Sequence, residues 1–132
     1  MNITYSFSKQ IDIDEVIALY KKAEMPRPTD DKQRMEQIFL NSNLIVSACI
    51  DGKLVGICRC ITDWRWSCYL SDLVIDSTVK NSGIGRQLVN LVSEKVGENC
   101  MILLLSVPTA MDYYPKLGFA KDDRAFTMPR KS

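Results

Sequence analysis

The sequence predicts an α/β fold of the α+β kind, a mixed sheet flanked by helices, and three features carry that prediction. Leu44–Ile50 and Leu54–Ile61 are rich in strand-forming residues, and the Asp51-Gly52 pair between them is a two-residue hairpin signal, so the two segments pair antiparallel. Further on, Cys68–Ile75, a polar loop with two close glycines, a helically spaced apolar set and the run Met101–Leu105 read as strand, loop, helix, strand. Such a crossover makes Cys68–Ile75 and Met101–Ser106 parallel neighbours, so one sheet carries both strand senses.

The remaining elements follow in chain order. Ile3–Phe7 alternates apolar and polar residues as a short strand. Asp12 with Glu15 has the form of a capping box, Ile13, Val16, Ile17 and Tyr20 follow at helical spacing, and the helix stops before Pro26. Thr29 or Asp30 caps a second helix with the stripe Met35, Ile38 and Phe39, which Asn41-Ser42-Asn43 breaks. Thr62–Trp66 turns the chain into the long strand ending at Ile75. After the glycines, Ile84, Leu88, Leu91, Val92 and Val96 bury one helix face, with Arg86, Asn90 and Glu94 toward water and Gly97 as the stop. The uninterrupted run Met101–Leu105 suits a strand covered on both faces. Pro108 opens a short helix to about Leu117, and Gly118-Phe119 with the tail supplies one or two closing strands.

Composition narrows the chemistry. At 132 residues and 46% apolar content, the chain is expected to form a single domain over 1–132. Seventeen basic residues against sixteen acidic ones, with no Lys/Arg run, give no nucleic-acid or anionic-membrane footprint and point to a small ligand or a protein partner. Five cysteines without a signal-peptide core or a membrane-length apolar run point to a cytoplasmic protein with reduced thiols. Cys58 and Cys60 share a strand face and read as buried thiols, so no metal is expected. The chain has no histidine, which excludes a Ser-His-Asp triad, a Cys-His pair and His-containing zinc sites. Any proton donor or acceptor is Asp, Glu, Lys, Tyr or Cys.

Leu73–Arg86 organises the functional reading. Leu73, Val74 and Ile75 end a strand, and Lys80, Asn81, Ser82, Gly83, Ile84, Gly85 and Arg86 lead into the helix. The first N–H groups of a helix lack intrahelical partners and the dipole adds positive charge, so this arrangement suits a phosphate, with Gly83 and Gly85 allowing close approach. A dinucleotide-binding loop of Rossmann type has a third glycine that is missing here. Glu24–Pro28 is either a proline-stiffened connection or one wall of a substrate pocket. Trp64, Arg65 and Trp66 either rim a cleft or pack on a neighbouring strand.

Two segments together resemble the GCN5-related N-acetyltransferases, the GNAT superfamily, in its small, bacterial-type, single-domain form. One is Lys80–Gly85 (K-N-S-G-I-G) after the strand end L-V-I; the other is Ala110–Phe119 (A-M-D-Y-Y-P-K-L-G-F), one helix and one strand later. Lys80 stands where Gln or Arg is commoner, and Ser106-Val107-Pro108 occupies the place of a frequent Asn. The resemblance implies the GNAT fold: a mixed, mostly antiparallel twisted sheet of six to seven strands, about four helices, and a V-shaped splay between two parallel central strands. It implies acetyl-CoA as cosubstrate and no metal. Leu73, Val74 and Ile75 would give main-chain contacts to the pantetheine arm, Asn81 to Arg86 would hold the pyrophosphate, and Lys80 or Arg86 would add charge; Arg86 reads equally as a solvated helix residue. The amine of a small molecule or peptide would attack the thioester directly. Asp72 then accepts the proton directly or through water, attracts the substrate cation, or is a structural hydrogen-bonding group, with Tyr69 as a further candidate. Tyr114 is the acid for the leaving thiolate or else a packed aromatic like Tyr113, and the Val74–Ile75 amides are oxyanion donors. A non-catalytic acyl-CoA-binding sensor is the alternative, and a homodimer is left open because many relatives dimerise.

Overall fold

The computed structural model describes residues 2–7 and 10–132. Five strands form one sheet in the order β1-β2-β3-β4-β5: β1 Ile3–Ser6, β2 Leu44–Ile50, β3 Lys53–Thr62, β4 Ser67–Ile75 and β5 Met101–Leu103. Strands β1 to β4 pair antiparallel in sequence, whereas β5 lies parallel to β4. Alternation along the strands splits the core. Ile45, Leu54, Ile57 and Val74 pack against α1 (Ile13–Lys22) and α2 (Lys32–Leu40) on one face. Val46, Ala48, Cys58 and Leu70 pack against α3 (Ile84–Val96) on the other.

The hairpin forms as the sequence predicts, with Asp51 and Gly52 both at positive φ (51° and 80°), the twist that a tight antiparallel turn requires. Asp12 caps α1 by accepting from the Asp14 N–H at 2.9 Å. Glu15 does not close the capping box: its Oε2 accepts from the Leu54 N–H at 3.1 Å and ties α1 to β3. For α2 the cap is Asp31, accepting from Arg34 N–H at 3.0 Å, and not Thr29 or Asp30. Pro28 carbonyl first closes a turn onto the Asp31 N–H, which moves the helix start downstream.

The element counts depart from expectation at the C-terminal end. Among the described residues there are five strands rather than six or seven, and three α-helices rather than four. The segment from Pro108 splits into two short 3-10 turns, Pro108–Ala110 and Tyr114–Leu117, because Pro115 lacks an N–H and Gly118 (φ 97°) ends the second in a left-handed turn. No strand follows Gly118 among the described residues. The apolar run at Met101 is not covered on both faces: Ile102 and Leu104 pack on the core, while Met101, Leu103 and Leu105 are 54%, 41% and 51% exposed. An apolar run fixes strand propensity but not what covers its second face.

Two irregularities shape β4. The register with β3 shifts between Arg59↔Asp72 and Cys60↔Leu70, leaving Ser71 as an extra residue. That bulge places Leu70 and Leu73 with the α3 core while Val74 joins the α1 core. The ladder with β5 is only three residues long, Ser67↔Met101 to Tyr69↔Leu103. Beyond it the two strands diverge, which is the expected splay.

Close packing of α3 on β3 sets where the glycine loop ends. A Cβ on Gly56 would lie 3.1 Å from Ile84 Cγ2 and 3.3 Å from Leu88 Cδ1, so the helix rests on bare backbone there. Leu88 is fully buried. Leu88→Ala is expected to lower stability by about 2–5 kcal/mol through lost burial and the cavity left behind. Urea denaturation measures it, with exposed Asn90→Ala as a control expected to shift stability by less than about 0.5 kcal/mol.

Candidate active site

Where β4 leaves β5, a cleft of about 760 Å³ opens. Leu73, Val74 and Ile75 form its floor, Glu24 to Pro26 one wall, and the start of α3 with Val107 to Ala110 the rest. Its entry loop is built from Asp76, only 3% exposed, whose carboxylate accepts from the Thr78 N–H (2.9 Å), the Thr78 hydroxyl (2.8 Å) and Lys22 Nζ (3.1 Å). Burial alone would raise its pKa, but these donors pull it down to about 2. The same contacts anchor the loop to α1.

Asn81 (φ 68°) and Gly83 (φ 84°) then take left-handed conformations, which Asn tolerates and Gly adopts freely. Gly83 is the N-cap and brings no side chain to the first N–H groups of α3. The amides of Ile84, Gly85 and Arg86 therefore start a helix without a built-in acceptor, at residues that line the cleft. This donor set fits a diphosphate. Lys80, Asn81 and Gly83 line the cleft as well, while Ser82 turns its hydroxyl to Val79 O at 2.5 Å and holds the loop closed. Arg86 Nη2 donates to Lys116 O at 2.7 Å, joining α3 to the turn that carries the tyrosines. Gly85 has a second reason to be glycine, since a Cβ there would strike the Tyr113 hydroxyl.

Asp72 does not face the cleft. Its carboxylate is 1% exposed and sits beneath two guanidiniums. Arg59 Nε donates to Oδ2 at 2.7 Å, Arg27 Nε donates to Oδ1 at 2.8 Å, and the Tyr20 hydroxyl donates to Oδ2 at 2.7 Å. Burial works against its charge, yet the hydrogen bond and charge of Arg59, with Arg27 and Tyr20, hold the carboxyl below its ordinary range. Burial and the neighbouring Asp72 push the Tyr20 phenol well up, so it stays a donor. The remaining guanidinium donors are met by Ser42, Ser71 and the carbonyls of Ser71 and Pro26. Tyr69 lies opposite Leu103 in the closed part of the ladder.

Tyr114 packs edge-on against Tyr113 (5.4 Å between centroids) and Phe119 (5.8 Å). Burial first, then Cys58, Tyr113 and Asp72, push its phenol up to about 12, while Arg27 opposes them. The ring is thus protonated at neutral pH and within the field of the Asp72 cluster. Tyr113, rather than Tyr114, lines the wide part of the cleft.

Known proteins agree with this geometry. The Acetyltransferase (GNAT) family model matches residues 13–119, and the chain belongs to that family of acetyltransferases. An uncharacterised N-acetyltransferase from Pyropia yezoensis is 30% identical over 88 residues, 62% of this chain. The match spans about half, 51%, of that relative's length. A probable acetyltransferase from methicillin-resistant Staphylococcus aureus superposes with a TM-score of 0.85 at 17% identity, over 99% of this chain and 100% of that one. A GNAT family acetyltransferase from Streptococcus pneumoniae gives 0.82 at 20% identity, again over 99% and 100%. Glucosamine-6-phosphate N-acetyltransferase from Arabidopsis thaliana gives 0.72 at 13% identity, over 98% of each chain. At these identities the likeness is one of fold. No helix among the described residues is long and apolar enough to cross a membrane.

The sequence reading did not find Arg27, Arg59 and Tyr20 around Asp72. Arg59 carried a signal, since a lone cation inside the apolar strand Gly56–Ile61 has to find a counter-charge. Asp72→Asn leaves two guanidiniums around a neutral amide, with an expected loss of about 3–5 kcal/mol at neutral pH. Because the folded pKa lies below the unfolded value of about 3.9, the wild-type contribution is full above that value and disappears as pH falls through the folded pKa. Urea midpoints from neutral to acid pH are expected to converge for the two proteins over that window.

Proposed function

We propose that residues 1–132 form one cytoplasmic catalytic domain that transfers the acetyl group of acetyl-CoA to a primary amine of a small molecule or peptide, directly and within a ternary complex. One observation carries the reading: the splay between β4 and β5 joins unpaired strand backbone to an uncapped helix N-terminus, with Tyr113 on the cleft lining and Tyr114 packed against it. Residues Leu73 to Ile75 offer main-chain groups to the pantetheine arm as an added strand would. The amides from Asn81 to Arg86 hold the diphosphate, and Lys80 and Arg86 contribute charge.

In the transfer step the neutral amine's lone pair attacks the thioester carbonyl carbon, a C–N bond forms, the C–S bond breaks with its electron pair leaving on sulfur, and the proton released from the nitrogen goes to water. The Ile75 amide, which points away from β3 because its neighbours on either side face that strand, stabilises the oxyanion. Tyr114 serves the leaving group. A phenol at about 12 is a weaker acid than a thiol at about 8.5, so it acts by donating a hydrogen bond to the thiolate rather than by surrendering its proton. Asp72 is assigned a positioning role, because both oxygens are engaged by Arg59, Arg27 and Tyr20. An acetyl-cysteine route is disfavoured: Cys58 is fully buried, the hydrogen bond with Cys58 together with burial pushes Cys60 far up, and the hydrogen bond with Cys60 together with burial pushes Cys68 far up.

Tyr114→Phe is expected to lower turnover on the order of a hundredfold while changing acetyl-CoA affinity by less than about threefold. Calorimetry with acetyl-CoA and thiol release with an amine panel give the two numbers. Absence of any CoA affinity in the wild type would defeat the proposal.

A further inference from the structure

Asp72 is sealed away from the cleft, and one other carboxylate lines it. Glu24 lines the wall formed by the α1–α2 loop and is exposed. Every other charged residue lining the cleft is a cation, Lys80, Arg86 or Lys116. Those three belong to the diphosphate loop, the first turn of α3 and the turn Tyr114–Leu117 that Arg86 ties to it. Glu24 stands apart from them, on a different wall.

Two more features set Glu24 aside. The cations within three residues of it in sequence, Lys21, Lys22 and Arg27, are all committed elsewhere: Lys21 to Asp30 at 3.1 Å, Lys22 to Asp76 at 3.1 Å and Arg27 to Asp72 at 2.7 Å. Among the described residues no ion pair or hydrogen bond engages the Glu24 carboxylate. Its backbone is also in the left-handed region, φ 55°, at the turn that ends α1, where Met25 N–H reaches back to Tyr20 O at 2.9 Å and Glu24 N–H to Lys21 O at 3.1 Å. That position ordinarily favours glycine, so a charged side chain is kept there against a conformational cost.

We infer that Glu24 is the specificity-determining carboxylate that docks the ammonium group of a cationic alkylamine acceptor at the cleft wall. The inference rests on the N-acetyltransferase reading above. Glu24 acts on binding: it concentrates the protonated amine, and the proton leaves to water at the open mouth before the lone pair attacks.

The test uses the full chain, saturating acetyl-CoA and thiol release with n-butylamine, a cation at neutral pH, beside p-anisidine, an aryl amine uncharged at the same pH. Glu24→Gln is expected to raise KM for n-butylamine about tenfold, the worth of one charge-assisted contact. The loss falls on KM rather than on kcat, p-anisidine shows no such rise, and calorimetric acetyl-CoA affinity stays at the wild-type level. Glu24→Gly removes the carboxylate while suiting the backbone, so it should reproduce the KM rise with no loss of thermal stability. Equal KM values for n-butylamine in wild type and Glu24→Gln, or an equal rise for both amines, overturn the role of Glu24 and leave the transferase reading standing. Wild-type protein that binds acetyl-CoA but releases no thiol with either amine overturns this inference and the transferase reading together.

Discussion

A single buried carboxylate shared by two guanidiniums holds the walls of the cleft in register. Asp72 on β4 meets Arg59 from β3, Arg27 from the α1–α2 loop and Tyr20 from α1, and Arg59 reaches on to Ser42 just past α2. Taking three ionised groups out of water is favourable only where every donor is met, and the hydroxyls and carbonyls around them meet that condition. The consequence is geometric. Arg27 pins the Glu24–Pro28 loop to β4 through Asp72 and Ser71 O, so the wall lined by Glu24 to Pro26 is set by a contact on the α1 face of the sheet.

The bulge at Ser71 and the early end of the β4–β5 ladder belong to the same arrangement. Without the extra residue, Asp72 and Val74 would not share the α1 face with Leu70 on the α3 face. Past Tyr69 the strand keeps β3 on one side and faces open space on the other. Because β5 is the last strand, this open stretch of β4 lies at the border of the sheet rather than between two central strands, and an exposed strand edge is a template for another extended segment. The pantetheine arm of acetyl-CoA has the amides and the length to pair there, which is why the gap supports a reading of ligand binding better than one of loose packing.

Local features were readable from the residues and distant ones were not. The Asp51-Gly52 turn, the stripe of α3 and the glycine loop are each encoded within a few residues, by positive φ or by a period of 3.6. By contrast Glu15 finds its partner 39 residues away at Leu54, and Asp72 finds Tyr20, Arg27 and Arg59 at separations of 52, 45 and 13. No local pattern could assign those partners, although a charge inside an apolar strand announced that one was needed. The choice between Tyr113 and Tyr114 has the same origin. The two are adjacent in sequence, and only the turn at Pro115 with the space left by Gly85 decides which ring lies over the start of α3.

The charge balance of the Asp72 cluster bears on the proposed transfer in a way that a general base would not. Two guanidiniums face one carboxylate, and Tyr20 stays neutral, so the cluster keeps a surplus positive charge close enough to Tyr114 for Arg27 to oppose the rise in its phenol pKa. In the proposed transfer the amine begins as an ammonium and loses a proton to water, and negative charge then moves onto the sulfur that Tyr114 is proposed to serve. Arg27 is the one neighbour that favours negative charge at that phenol, acting against Asp72, so in the proposed transfer its guanidinium assists the leaving thiolate. Were Asp72 free and facing the cleft, its own negative charge would act against the leaving thiolate. In the proposed transfer, pairing Asp72 with Arg59 and Arg27 offsets that charge, and the carboxylate proposed to meet the incoming amine, Glu24, is carried by the loop that Arg27 anchors.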